Sequence, residues 1–323
     1  MSAAQWRPSA TLEALRQRAA MLARIRGYFA EQDVVEVDTP SLSGAAVTDV
    51  HLESIAAEVT GAGRMYLQTS PEYAMKRLLA AGLGDCFQVC HVFRDGERGS
   101  LHNPEFAMIE WYRLGFDAPR LMDDVEALLS RATAGLRTFP RAERLTYRQA
   151  VLQYSGADPM TATAGELLAT LARHEVNVPA SAAHDRDALL DLLVSTRVGP
   201  RLGRSVPTFL HDYPASQAAL ARIRPGEFAV AERFELYVDG VELANGFQEL
   251  LDPREQRQRF ESELAERARR GQPPRPVDER FLASLEQGLP ACAGVALGFD
   301  RLVMTALSLG SIDEAMAFPL ERA

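Results

Sequence analysis

Residues Phe93 to Tyr112 read F-R-D-G-E-R-G-S-L-H-N-P-E-F-A-M-I-E-W-Y. Before this stretch, Cys86 to Phe93 alternates as a half-buried strand does, and Phe106 to Tyr112 alternates again. The pattern predicts two antiparallel strands joined by a long polar loop. Rigid strands that hold such a loop commonly carry chemistry. Period-two geometry puts Phe106, Met108, Glu110 and Tyr112 on one face of the second strand, with Ala107, Ile109 and Trp111 on the other. A carboxylate and a phenol beside apolar neighbours make a poor core but a good pocket for an ammonium group, because a buried carboxylate needs a cation or several donors. Arg94, at the loop entrance, offers a rigid fork suited to phosphate. A surface hairpin with a solvated Arg and Glu is the plainer alternative.

Further along, Phe234 to Val238, Asp239-Gly240 and Val241 to Ala244 form a second hairpin signal, because Asp-Gly favours the turn that matches strand twist. A two-residue loop sets Val238 opposite Val241 and Tyr237 opposite Glu242, with Glu235 diagonal to Glu242 on the same face. Like charges so placed repel unless something positive lies between them. A magnesium ion held by Glu235, Glu242 and substrate phosphates answers that need, and two acids on a solvated face is the alternative. Glu249 lies an odd number of residues beyond Glu242, so a regular strand turns it to the opposite face; Asn245-Gly246 offers a bulge that restores parity.

The bulk properties are those of a soluble globular chain: 323 residues, 47% apolar and 24% charged. One domain over residues 1–323 is expected, helix-rich between about 139 and 215. No run is long and apolar enough to span a bilayer, and M-S-A-A-Q-W-R-P lacks the order of a secretion signal. Three cysteines fit a reducing compartment, hence the cytoplasm. Cys86, Cys90 and His91 lack a second ligand pair and read as strand residues, not a metal site. A net charge of −9 disfavours tRNA as a partner, since gripping a phosphate backbone needs basic surface. The basic run Arg267 to Arg270 reads as a solvated helix end.

In chain order, Thr11 to about Gln32 predicts a helix whose apolar stripe is Leu12, Leu15, Ala19, Leu22, Ile25 and Phe29, and Val34 to Val37 a strand ending at Thr39-Pro40. Ser70 is a good N-cap, Pro71 suits the first helical position, and Gly82 closes that helix. Glu72 then reads as a first-turn acid. A helix is expected over Leu121–Leu136, and His174, His184 and His211 beyond it read as structural or exposed. Asp252-Pro253 caps a charged helix to about Arg270. Gly294 to Phe299 leads into a helix at Asp300-Arg301 reaching Leu309. Gly298 lets a flat ring approach the backbone. Arg301 in a first helical turn is disfavoured unless an anion lies alongside.

Arg94 followed by H-N-P-E-F and E-W-Y resembles motif 2 of the class II aminoacyl-tRNA synthetases in the lysine-specific version. E-L-A-N-G-F-Q-E-L-x-D-P (Glu242 to Pro253) and G-V-A-L-G-F-D-R-L (Gly294 to Leu302) resemble the metal-binding segment and motif 3, and the first helix, strand and Pro40 resemble motif 1. The resemblance implies an α+β class II catalytic fold, an antiparallel sheet flanked by helices, and a homodimer built through motif 1. Only about ten residues precede the first helix, so the OB-fold anticodon reader of lysyl-tRNA synthetases is expected to be missing. The chain looks most like the stand-alone paralogues that activate (R)-β-lysine with ATP and join it to a lysine side chain of elongation factor P. A tRNA or another amine as acceptor, and a non-catalytic binding paralogue, are the rival readings.

For individual residues, the resemblance implies that Glu72 meets the substrate α-amino group beside Ser70 and Pro71, while Glu110, Tyr112 and Glu249, with Asn245 and Ala296 nearby, grip the side-chain amine. ATP is assigned to Arg94, Asp95, Gly96, Glu97, His102, Asn103, Glu242, Leu243, Gly298 and Arg301, with magnesium on Glu235 and Glu242. Arg94 and Arg301 are the implied catalytic residues. Two departures stand out: Ala296 replaces the usual glycine and Ser70 the usual alanine, which points to a pocket reshaped for a β-amino acid. Gly96 stands where motif 2 usually carries the acid that reaches adenine, and Glu97 follows it.

Overall fold

The structure, a computed structural model, describes residues 6–323. Residues 1–5, which open the stretch read for a secretion signal, lie outside the described residues. The chain divides into two compact units. The first comprises residues 1–117, 127–138 and 251–323, and the second residues 118–126 and 139–250.

In the first unit the expected hairpin is present. Cys86–Phe93 pairs antiparallel with Glu105–Leu114, in a register running from Cys86 opposite Tyr112 to Phe93 opposite Glu105. Cys292–Gly298 pairs antiparallel on the far side of Glu105–Leu114, and the short Val35–Glu36 lies parallel to Cys86–Phe93. A separate small sheet joins Leu42–Ser43, Gly63–Leu67 and Ala56–Val59. Glu105–Leu114 is buried from Ala107 through Arg113, on both faces, and so is not the half-solvated strand its alternation predicts. The physical reason is coverage: Trp111 packs edge-on against Phe29 of the helix Leu12–Ala30, and Phe29 stacks on Phe87 at 4.2 Å. The opposite face carries Glu110 and Tyr112.

That helix starts where expected, with Thr11 Oγ1 accepting the Ala14 amide, but its core-facing stripe differs. Ala14, Met21, Ile25 and Phe29 are buried, whereas Leu12 is 64% exposed and Ala19 is exposed. Ile25 and Phe29 of the expected stripe are thus in the core, while Ala14 and Met21 take the place of its N-terminal half there.

Asp252 caps the helix Pro253–Arg269 by accepting the Arg254 and Glu255 amides. The basic run at its end is only partly solvated. Arg269 is exposed, but Arg267 is 1% exposed and donates to the Asp49 carbonyl at 2.9 Å and to Glu53 at 2.8 Å. Arg275 also pairs with Glu53, whose carbonyl accepts the Asp95 amide at 2.8 Å. A buried arginine needs such partners, and this clamp ties the loop before residue 54 to the polar loop after Arg94.

In the second unit, Val241–Gln248, Val230–Val238 and Thr208–Pro214 follow one another antiparallel, with Glu143–Thr146 parallel at the end and Ile223–Arg224 beside Val230–Val238. Asp239 and Gly240 both have positive φ, 55° and 80°, as the predicted turn requires. The helices Tyr147–Ser155, Ala164–Arg173 and Arg186–Leu193 pack a core of Tyr147, Leu167, Leu171, Leu189, Leu190 and Leu193. The helix expected over 121–136 runs Ala118–Ala132. His174 bonds the Ser155 carbonyl, His211 lies beside Asp212, and His184 is exposed.

The second hairpin holds a correction. Tyr237 faces Glu242 and Val238 faces Val241 as expected, but the bulge lies at Leu243, since Leu236 pairs with Ala244 and Glu235 with Asn245. Gly246 has a different task. It pairs with Phe234, and a Cβ there would stand 2.4 Å from the ring. A Gly246→Ala change is therefore expected to cost about 1–3 kcal/mol of stability through overpacking, measurable as a shift in the denaturation midpoint at unchanged slope.

Candidate active site

The first unit holds six of the expected substrate residues, Ser70, Pro71, Glu72, Glu110, Tyr112 and Ala296. Glu110 is buried, and its two oxygens accept from Tyr112 Oη at 2.6 Å and Ser70 Oγ at 2.7 Å. Ser70 Oγ also accepts the Glu72 amide at 3.0 Å. The helix begins one residue later than expected, over Glu72–Ala80 with Pro71 at the cap position. Ser70 thus bridges the helix start and Glu110, and its hydroxyl faces chemistry as well as backbone. Burial, then the neighbouring Glu72 carboxylate, push Glu110 up to about 8, against its hydrogen bonds from Tyr112 and Ser70 and the charge of Lys76. Lys76 was not expected at the site. Its ammonium is buried and donates to Glu72 Oε1 at 2.6 Å. Spacing of four from Glu72 puts it on the same helix face, a signal present in the sequence.

Strand register surrounds Glu110 with small or polar neighbours. Gln88 lies opposite it on one side and Ala296 on the other, while Gly294 faces Tyr112 and Gly298 faces Met108. A side chain at 296 therefore stands directly beside the acid, on its own face of the sheet.

Arg94, Glu97, His102 and Arg301 form a second group in the same unit. Arg94 lies over the Phe106 ring, its Nε buried without a hydrogen-bond partner, with Glu97 3.7 Å away. Gly96 has φ +76°, the left-handed region that a side chain there would strain, and this accounts for glycine at that position. Glu97 turns back toward Arg94; Asp95 is exposed. Arg301, third in the helix Phe299–Ala306, donates from Nε to the Leu101 carbonyl at 3.1 Å and meets His102 Nε2 at 2.7 Å. A guanidinium only donates, so His102 accepts through Nε2 and carries its proton on Nδ1. Burial and then Arg301 hold the His102 pKa below the usual range. Arg94 and Arg301 both act on that ring. Asn103 is engaged elsewhere: it donates to the Glu105 carbonyl and accepts the Leu320 amide. Arg98 is fully engaged by Asp313 and Glu321.

In the second unit, Glu235 is buried and accepts from Tyr237 Oη at 2.7 Å and Arg233 Nη2 at 2.6 Å. Arg233 also donates to Asn245 Oδ1 and the Gln217 carbonyl. The positive charge that adjacent acids require is thus supplied at Glu235 by a protein group, two residues away on the same strand face. Glu242 acts electrostatically on both Arg233 and Tyr237. The Leu243 bulge changes parity, so Asn245 shares the face of Glu235, and period two from there leads to Phe247 and Glu249. Glu249 is buried and bridges to Ala221. Among the described residues no three His, Cys, Asp or Glu side chains are grouped to hold a metal. Glu235 and Glu242 still offer hard oxygen donors, and each Glu235 oxygen accepts one bond, so the pair fits a cation whose other ligands are phosphates.

Burial pushes the thiols of Cys86 and Cys90 up to about 12, which suits inert strand residues. No helix among the described residues is long and apolar enough to cross a membrane.

The chain is 50% identical over 321 residues to "Elongation factor P--(R)-beta-lysine ligase" of Vibrio vulnificus (strain YJ016), covering 98% of each. It is 48% identical over 319 residues to proteins of the same name from Vibrio parahaemolyticus serotype O3:K6 (strain RIMD 2210633) and Vibrio campbellii (strain ATCC BAA-1116), covering 97% of this chain and 98% of each relative. The family model for tRNA synthetases class II (D, K and N) matches residues 2–322. The chain belongs to the class II tRNA synthetases of that D, K and N group.

Proposed function

We propose that this protein activates (R)-β-lysine with ATP and transfers it to a lysine side chain of elongation factor P. The observation that carries the reading is the ammonium-binding set of the first unit, Glu110 with Tyr112, Ser70 and Glu72, in a chain about half identical, end to end, to ligases so named. One substrate carboxylate oxygen attacks the ATP α-phosphorus, pyrophosphate leaves, and an acyl-adenylate results. The acceptor amine then attacks the acyl carbon, loses a proton and expels AMP. Positioning and charge neutralisation supply most of the rate in such chemistry.

In this reading Arg94 and Arg301 hold phosphates as the catalytic pair, and Gly298, Leu243, His102 and Glu97 serve the rest of the nucleotide. Asn103 keeps the loop in place, with Asp95 and Gly96 forming its turn. Glu72 takes the amine nearer the substrate carboxylate, and Glu110, Tyr112, Asn245 and Glu249 answer the side-chain amine. Magnesium, held by Glu235 and Glu242, would offset phosphate charge. A single catalytic domain over residues 1–323 is favoured by the family match, which runs from residue 2 to residue 322. A homodimer is favoured by the exposed Leu12, Val35 and Leu42 on motif 1 and its neighbour, and a cytoplasmic location by three free thiols. The net charge of −9 argues against tRNA as acceptor.

The test is ATP/pyrophosphate exchange with (R)-β-lysine and with α-lysine, followed by transfer assays offering purified elongation factor P and tRNA separately. Label moving to tRNA alone, or no exchange with either amino acid, overturns the reading.

Ala296 pairs with Glu110, and Ser70 donates to Glu110 and accepts the Glu72 amide, so in this reading both substitutions lie between the two acids that receive the substrate amines. An Ala296→Gly, Ser70→Ala double variant is expected to shift preference toward α-lysine by about tenfold or more, since one methyl or hydroxyl in a pocket discriminates on that scale. An unchanged ratio of kcat/KM for the two amino acids would exclude these positions as the determinant.

A further inference from the structure

Lys76 is one of the most deeply buried cations in the molecule, 1% exposed, and its ammonium lies over the buried Phe281 ring, 5.8 Å from the centroid. The helix Glu72–Ala80 is held there by Tyr73, which stacks on Phe281 at 4.7 Å. An apolar side chain of similar length would fill this space without the desolvation cost of an ammonium, so a buried charge here has to be matched by its partners. The charge does have a use at Glu72. Lys76 Nζ bonds Glu72 Oε1 at 2.6 Å, while Oε2 takes no hydrogen bond among the described residues. The Glu72 side chain as a whole keeps 16% of its surface exposed, where Lys76 keeps 1%. On the other side, Lys76 acts on Glu110 in the sense opposite to Glu72.

We propose that Lys76 is a positioning residue for the amino-acid substrate: it anchors Oε1 of Glu72 so that Oε2 is presented to the substrate amine in one fixed orientation. A carboxylate at a helix start has two soft side-chain torsions beyond Cβ, and a single buried donor on one oxygen removes that freedom before substrate arrives. The inference rests on the reading that Glu72 receives a substrate amine. It adds that Lys76, which does not itself touch substrate, makes that contact effective.

Lys76→Met, Lys76→Arg, Glu72→Gln and the Lys76→Met, Glu72→Gln double variant of the full chain, assayed by ATP/pyrophosphate exchange with (R)-β-lysine, test this. Lys76→Met is expected to raise KM for β-lysine about tenfold or more, with KM for ATP changed less than about twofold, and Lys76→Arg to recover part of the loss. In the Glu72→Gln background, removing Lys76 is expected to change little further, because the oxygen it positions is gone. The double variant carries neither charge, which keeps the comparison open if Lys76→Met alone folds poorly. A β-lysine KM unaffected by Lys76→Met, or a Lys76 effect that persists in full in the Glu72→Gln background, overturns the proposal. Normal β-lysine KM in Glu72→Gln would instead overturn the assignment of Glu72 itself.

Discussion

An Arg94→Ala variant is expected to lose about three orders of magnitude in (R)-β-lysine-dependent ATP/pyrophosphate exchange, the scale on which a single guanidinium stabilises phosphoryl charge in a transition state. The loop after Phe93 carries two arginines, and the structure distinguishes them. Arg98 is consumed by Asp313 and Glu321, and so serves to close the loop. Arg94 keeps its donors: Nε is buried without a partner, and the Glu97 carboxylate at 3.7 Å is beyond hydrogen-bond distance. Its guanidinium lies over Phe106, which fixes its plane without using its N–H groups. A buried unsatisfied donor is costly, and an incoming phosphate removes that cost. Lysine at this position keeps the charge but not the planar fork, so Arg94→Lys is expected to recover at most about a tenth of the lost rate. Because the side chain is about a quarter exposed, the melting temperature should change little in either variant. Exchange within a few-fold of the parent in Arg94→Ala would remove Arg94 from the chemistry. Glu97→Gln makes the complementary measurement: if Glu97 serves the base in place of the missing acid at Gly96, KM for ATP rises while kcat stays near its parent value.

The availability of Arg94 was legible from one dimension only in part. Alternation located the strands of both hairpins and the Asp-Gly turn the register beside it in the second, because strand period and turn geometry are local properties. The bulge was misplaced by two residues. Gly246 is instead needed where the ring of Phe234 lies on it, a contact across two strands. In the first helix Ile25 and Phe29 were legible as core residues, but Ala14 and Met21, not Leu12 and Ala19, complete the buried face, which meets Phe87 and Trp111 through Phe29. Arg267 read as solvated because its partner Glu53 is 214 residues away in the chain. The acids of the candidate site were visible as residue types. Their resident cations, Lys76 and Arg233, were visible as spacings of four and two, but nothing in the sequence said that either would be buried.

Glu110→Gln is expected to weaken β-lysine binding by about two to three orders of magnitude, the usual loss when one partner of a desolvated charge pair is removed. It is also expected to make the free protein more stable at alkaline pH. Both effects follow from one buried carboxyl whose pKa is pushed up to about 8, first by burial and then by Glu72. A carboxyl raised above its unfolded value binds more protons folded than unfolded. Its stabilising share is therefore complete below about pH 4.5 and is lost as pH rises through about 8. Glutamine stays neutral throughout and can still accept from Tyr112, so the melting temperature of the variant relative to the parent should rise from pH 5 to about pH 8 and level off above it. A difference that is flat across this range would mean that Glu110 does not titrate there. Binding runs the other way. An ammonium selects the ionised carboxylate, so the parent's affinity for β-lysine should strengthen by up to about tenfold per pH unit below pH 8 and level off above it. Near pH 7 the parent should release a proton on binding, seen as a calorimetric enthalpy that depends on the ionisation heat of the buffer. Glu110→Gln should show neither the pH slope nor the buffer dependence, which separates loss of this titrating group from a general loosening of the pocket.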